Sequence, residues 1–238
     1  MTEHSRPRIE IERDGPYHVS GPTRLTRTAI VETERGEPVA WADERDVTVA
    51  GSRPELCRCG NSSNKPFCDG SHRRTGFDGT ETADRTTTRA ERAREFHGKG
   101  LTLSDDRSLC DHSGFCTNVR TDVWHMLRDT DDPEVRERLI AMVGRCPSGR
   151  IALSPAEGEA TEGEPGEGEP GELEPNFDPS VAVVDDGPLW VRGRVEIVGA
   201  DGEVYEVRNR VALCRCGGSS NKPFCDGTHR ENGFHDPT

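Results

Sequence analysis

The sequence predicts an α+β chain of three small modules, stapled by ligating side chains and built mostly from short strands. Three observations point there. Of the 238 residues only 31% are hydrophobic and 5% aromatic, while 32% are charged, which is thin material for a single core of ordinary size. Nine cysteines are present, an odd number that cannot all be paired as disulfides within the chain. One sixteen-residue cassette also occurs twice, as "CRCGNSSNKPFCDGSH" at 57–72 and "CRCGGSSNKPFCDGTH" at 214–229, identical at fourteen of sixteen positions.

The repeat extends beyond the cassette. A β-type run, Ile9 to Ile11, precedes "DGPYHVSG" at 14–21, and Val181 to Val184 precedes "DGPLWVRG" at 186–193. After each cassette, His-Arg leads to Gly-Phe, at Gly76-Phe77 and Gly233-Phe234. Each copy therefore reads as strand, Asp-Gly turn, further strands, cassette and Gly-Phe, with a helix of one to two turns inside the cassette. The first copy is 15 residues longer between its second glycine and its cassette, which predicts a long hairpin around Glu34 to Glu37. In the second copy, Val195 to Ile197 and Tyr205 to Val207 flank "GADGE", a hairpin signal.

A different unit lies between the copies. Residues 81–95 are polar and read as a linker or an exposed helix. "REFHGKGLTLSDD" predicts a small hairpin with Leu101 and Leu103 on one face. Asp131-Asp132-Pro133 offers an N-cap with proline as the first helical residue. Val135, Leu139, Met142 and Val143 then recur at helical spacing and lead into Arg145-Cys146-Pro147. Trp124 and Trp190 are expected to pack the small cores. Residues 155–176 hold eight Glu and no basic residue, so they read as an extended, disordered linker. The resulting parse is one repeat copy at 1–80, a middle module at 90–153, an acidic linker at 154–176 and the second copy at 177–238.

The net charge of −13 argues against a nucleic-acid partner. No apolar run approaches the length of a membrane span and no N-terminal segment resembles a signal peptide. The expectation is a soluble cytoplasmic protein without membrane contact, where clustered Cys and His suggest metal more than disulfide.

In the first cassette the candidate ligands are Cys57, Cys59, Cys68 and His72, and in the second they are Cys214, Cys216, Cys225 and His229. Two thiolates at i and i+2 can reach one metal atom. Pro66, with Ser63 or Asn64 as cap, suggests a helical turn that puts Cys68 and His72 on one face. Spacing leaves two occupants open: a tetrahedral zinc, or a 2Fe–2S cluster taking one ligand pair per iron.

Both cassettes resemble, at every defined position, the signature C-x-C-x2-(S/T)-x3-P-x-C-D-G-(S/A/T)-H of the CDGSH iron–sulfur (mitoNEET-like) family. That resemblance implies two 2Fe–2S clusters. Cys57 and Cys59 would hold one iron and Cys68 and His72 the other, and likewise Cys214 with Cys216 and Cys225 with His229. Because members of that family pair two such units in a dimer, it also implies that residues 1–80 and 177–238 form an intramolecular pseudo-dimer.

In the middle module Cys110 and Cys116 stand six apart in "LCDHSGFC", and Cys146-Pro147-Ser148-Gly149 follows. This resembles a bacterial ferredoxin half in which Ser113 replaces the central cysteine, and it is similar to the divergent 4Fe–4S mono-cluster domain. The resemblance implies a ferredoxin-like α+β unit holding a 3Fe–4S or 4Fe–4S cluster on Cys110, Cys116 and Cys146. His112 is a candidate fourth ligand, or a hydrogen-bond donor to sulfide or backbone. His18, His97, His125 and His235 read as surface or turn residues. No phosphate loop, G-x-S-x-G or His-Glu-x-x-His is present, so a non-enzymatic carrier of single electrons between partner proteins is the leading expectation. Cluster storage, transfer or redox sensing, and a zinc-stapled interaction module, are the alternatives.

Overall fold

The computed structural model describes residues 6–156 and 173–236. In the N-terminal copy the strands are β1 (Arg8–Ile11), β2 (Tyr17–Ser20), β3 (Arg24–Thr28), β4 (Ile30–Glu32), β5 (Pro38–Trp41), β6 (Arg45–Asp46) and β7 (Glu55–Leu56), followed by the short helix α1 (Ser71–Thr75). The middle segment holds α2 (Arg89–Arg92), β8 (Arg94–His97), β9 (Leu101–Asp105), α3 (Val123–Met126), α4 (Pro133–Gly144) and β10 (Ile151–Pro155). The C-terminal copy supplies β11 (Ser180–Val184), β12 (Leu189–Arg192), β13 (Glu196–Val198), β14 (Arg210–Leu213) and a 3-10 turn at Thr228–Arg230. The fold is α+β, as the composition and repeats predict.

The two copies do not fold as separate sheets. β1 pairs with β2 in an antiparallel hairpin, as β11 does with β12, each turning at an Asp-Gly whose aspartate has positive φ. Yet the third strand of each copy crosses to the other. β3 lies parallel to β11, and β13 lies parallel to β1. Two mixed sheets result, in the orders β13-β1-β2-β7 and β14-β12-β11-β3-β6. Their buried faces share one apolar cluster that includes Ile9, Tyr17, Leu25 and Leu56 from one copy and Val181, Leu189, Ile197 and Leu213 from the other. By pooling two short sets of strands, a chain poor in apolar residues obtains a core that neither copy could supply alone. The crossing strand also explains a difference from expectation. The "GADGE" turn forms, but beyond the Val198–Val204 bridge its return arm is no strand, while β13 gives its other edge to β1.

The middle module has its own core. β8 and β9 form the expected hairpin and β10 completes the sheet, with Leu101 and Leu103 fully buried against Leu139, Met142 and Val143 of α4. Asp132 caps α4 by accepting from the Glu134 N–H at 2.9 Å, with Pro133 opening the helix. Trp124 packs on this core, and Trp190 is buried beside Phe177 and Trp41.

Three segments bind the modules together. The extra length of the first copy forms the β4–β5 hairpin, and Trp41 at its end stacks on Trp190 at 4.5 Å while its indole N–H donates to the Arg145 carbonyl. Residues 81–85 are a docked strap: Thr82 and Ala83 donate to the Lys222 carbonyl, and Arg85 lies 3.8 Å over the Tyr205 ring. Most of the expected acidic linker falls outside the described residues. Its end does not: Leu173 joins the middle core and Glu174 pairs at 3.0 Å with the buried Arg210. Among the described residues no helix is long and apolar enough to cross a membrane.

The copies also meet closely at the cassettes. Cys59 and Cys216 form an antiparallel bridge, and a Cβ on Gly60 would stand 2.6 Å from the Cys216 carbonyl oxygen. Gly60→Ala is therefore expected to destabilise the chain by roughly 3 kcal/mol or more, through a backbone clash added to a left-handed φ. Gly51→Ala, with a φ of +88° but nothing within 4 Å of the new methyl, should cost only about 1–2 kcal/mol. Equal losses in denaturant titrations would contradict the tight contact.

Candidate metal centres

Each cassette presents its four candidate ligands as two pairs. The Cys57 and Cys59 sulfurs are 3.8 Å apart, and the Cys68 sulfur is 3.4 Å from His72 Nδ1. In the second cassette Cys214 and Cys216 are 3.9 Å apart, and Cys225 is 3.3 Å from His229 Nδ1. Among the described residues no three His, Cys, Asp or Glu side chains close around one point as a single-ion site requires.

The route by which the chain brings these pairs together differs from the helical turn expected from Pro66. The Lys65–Pro66 and Lys222–Pro223 bonds are cis, and the segment after each runs back along the strand before the cassette. Cys57 N–H donates to the Pro66 carbonyl and Cys68 N–H to that of Glu55. The helix begins only at Ser71, because Asp69 and Gly70 first redirect the chain: Gly70 sits at φ +81° and Asp69 accepts from the Ser63 and Ser71 N–H groups. Cys68 thus comes from a loop and His72 from α1. The second cassette repeats this with Asp226, Gly227 and the 3-10 turn that carries His229.

The electrostatics prepare these groups for a cation. The hydrogen bond within each cysteine pair favours the thiolate on one of its sulfurs, lowering Cys57 in the first and Cys216 in the second to about 6. Burial, then nearby Arg230 and Arg215, lowers His229 to about 4 and keeps its imidazole in the neutral, ligating form. Cys68 and Cys225 are pushed up by burial, a cost that bound iron would reverse.

In the middle module Cys110 leads out of a short 3-10 turn, Cys116 precedes α3, and Cys146 follows the end of α4. Cys116 packs in the same apolar cluster as Cys146 and feels the charge of both other cysteines. Cys116 is raised to about 11 by burial and by the charges of Cys146 and Cys110, with Arg150 opposing. Arg150, held by Asp105, donates to the Cys110 sulfur at 3.2 Å. Ser113, in the place of a central cysteine, spends its hydroxyl on the buried Asp111 at 3.1 Å. His112 is exposed and in the left-handed region at φ +59°.

Residues 14–73 and 186–230 match the family described as iron-binding zinc finger, CDGSH type, and residues 96–155 match the divergent 4Fe-4S mono-cluster family. The chain carries two CDGSH domains around a divergent 4Fe-4S domain. It is an iron–sulfur protein, and its paired soft ligands and its thiolate-forming cysteines suit that chemistry. No curated protein matches the chain.

Sequence reasoning missed the arginine inside each CDGSH motif. Arg58 and Arg215 are almost fully buried. Arg58 donates to the Glu12 and Gly79 carbonyls, with its guanidinium over the Tyr17 and Phe77 rings. Arg215 donates to the Gly187 and Val184 carbonyls and pairs with Asp236, which also binds Arg27 of the other CDGSH domain. These arginines tie the metal loop to the Asp-Gly turn and the tail. The signal was present: both copies place Arg between the first two ligands, although its side chain alternates away from them.

Asp226 tests the turn before His229. Burial opposes its ionisation, but donors from Thr228 and Ser220 outweigh that and lower it to about 2. Its contribution is therefore complete above the ordinary carboxylate pKa and lost as the pH falls from about 4 toward about 2. Asp226→Ala is expected to cost on the order of 1 kcal/mol at pH 7, after allowance for solvent screening of this partly exposed group. The gap between variant and parent in denaturant midpoint should close below pH 4; a gap independent of pH would refute this account.

Proposed function

We propose that the chain carries two 2Fe–2S clusters and one 3Fe–4S or 4Fe–4S cluster, and acts in one-electron transfer between partner proteins rather than as an enzyme. The observation that carries this reading is the contiguity of the three sites. The CDGSH motifs touch through Cys59 and Cys216, and the middle cysteine loop packs against the second motif at Gly227. A chain needing metal only as a staple has no reason to bring three sites together.

When bound, such clusters supply reversible one-electron chemistry. The chain's residues hold the ligand pairs, keep His229 neutral and exclude water from the inner cysteines, since Cys57, Cys59 and Cys214 are buried. Two pairs rather than one tetrahedron favour a dinuclear centre over zinc in each CDGSH domain. Cys57, Cys59, Cys68 and His72 would hold one, and Cys214, Cys216, Cys225 and His229 the other. Cys110, Cys116 and Cys146, with His112 as an optional fourth ligand, would hold the third. The strand exchange makes residues 1–80 and 177–238 an intramolecular pseudo-dimer in this reading. Cluster delivery is a second reading, favoured by the half-buried Cys68.

Protein purified under air is expected to be coloured and to contain iron and acid-labile sulfide with little zinc; a colourless zinc protein would remove both readings. Transfer of iron and sulfide to an apo-ferredoxin would select delivery over electron transfer. His72→Cys and His229→Cys each replace a neutral ligand with a thiolate. Each is expected to lower the potential of its own centre by on the order of 100 mV and to slow loss of colour in acid. Unchanged potentials in both variants would count against histidine ligation.

A further inference from the structure

The two CDGSH motifs are nearly identical in sequence, but only one of them is covered. A Cβ on Gly227 would stand 3.0 Å from His112 Cβ and Cδ2 and 3.2 Å from the Asp111 carbonyl oxygen. On Gly70, at almost the same φ, it would meet nothing within 4 Å. The Asn221 side chain donates to the Ser108 carbonyl at 2.7 Å, whereas the equivalent Asn64 is exposed. Cys225 is buried and Cys68 is only half-buried. The loop 108–113 of the 4Fe-4S domain thus fills a seat on the C-terminal motif, and the same seat on the N-terminal motif is open.

The charges at the open seat say what fits it. The filled seat takes a loop that bears the acidic Asp111, on a motif whose ligand histidine is followed by Arg230. The open seat has Arg73 in the place of Arg230 and Arg74 where the other motif has Glu231, both exposed, and the half-buried Lys65 of the same motif lies 5.9 Å over the Phe234 ring. Asp69, which accepts from Ser63 and Ser71, and Glu55, 3.6 Å from His18 Nδ1, stay ionised, so the three basic side chains exceed the two acidic ones by one charge. On a chain of net charge −13, this is a local basic face beside the ligands of one site.

We propose that the seat formed by Asn64, Lys65, Gly70, Arg73 and Arg74 docks an acidic loop of a redox partner protein, in the position that loop 108–113 takes on the other motif. The proposal rests on the one-electron reading above. It makes the two motifs unequal: the C-terminal one faces the chain's own third site, and the N-terminal one faces outward.

The test is calorimetric titration of the full, cluster-loaded chain with an acidic 2Fe–2S ferredoxin as probe, at low and at physiological salt. Arg73→Glu/Arg74→Glu is compared with Arg128→Glu/Arg138→Glu, an equal charge change at exposed residues of the 4Fe-4S domain. The first pair is expected to weaken binding by about tenfold or more, the second by no more than about twofold, with parent affinity falling as salt rises. Asn64→Trp, which fills the seat without changing charge, should weaken binding as well. Equal weakening by both charge pairs, or no binding by the parent, would overturn the proposal. Iron, sulfide and reversible reduction are measured on the same samples. Reducible clusters without charge-selective binding defeat the docking surface alone, whereas samples lacking clusters defeat the electron-transfer reading with it.

Discussion

The structure depends on the exchange of one strand between the repeat copies. β3 completes the sheet begun by β11 and β13 completes the sheet begun by β1, so neither copy has a finished sheet without the other. This exchange lets a chain with so few apolar residues bury Ile9, Val181, Leu189 and Leu213 in one cluster. It also sets the metal loops back to back at the Cys59–Cys216 bridge. That approach is close enough to demand glycine at 60 and 217, where any Cβ would meet the opposite backbone within 2.8 Å.

Buried arginine does what apolar residues do in richer chains. Arg58 and Arg215 thread from the metal loops to the turns behind them, and Arg27 crosses between copies to share Asp236 with Arg215. Arg210 reaches from β14 to the Val143, Gly144 and Ile151 carbonyls and to Glu174, joining the second CDGSH domain to the end of α4. Each is directional, and removing one partner would leave a buried charge uncompensated. Arg58 and Arg215 hold the cysteine loops in place against the Asp-Gly turns and the segments that follow the cassettes.

The two metal environments differ for reasons of packing rather than ligand chemistry. The same sixteen-residue cassette is open at Gly70 and covered at Gly227 because the middle module can lie against only one of them. The insertion hairpin β4–β5 enforces that choice by carrying Trp41 between Trp190 and Phe115. An asymmetric relation to the third site is thus built onto a symmetric pair.

The side-chain pairs of the two cassettes and α4 were legible in the sequence, because each is local. C-x-C, C-D-G-(S/T)-H, Asp132-Pro133 and the spacing of Leu139, Met142 and Val143 act within a few residues, and the β1–β2 and β11–β12 hairpins follow from Asp-Gly turns. The helical turn assigned to Pro66 failed where cross-strand pairing outweighed local propensity: Pro66 and Cys68 hydrogen-bond to Cys57 and Glu55 instead. The strap at 81–85 and the docked Glu174 read as linker because their partners, Tyr205 and Arg210, lie far along the chain. The sequence by itself determined the family and which cysteines and histidines stand as ligand candidates, since both depend on side-chain type and short spacing. Only the tertiary structure decided that the two copies share sheets and that one motif is covered while its twin is open, because those contacts join residues more than a hundred positions apart, where no local pattern records them.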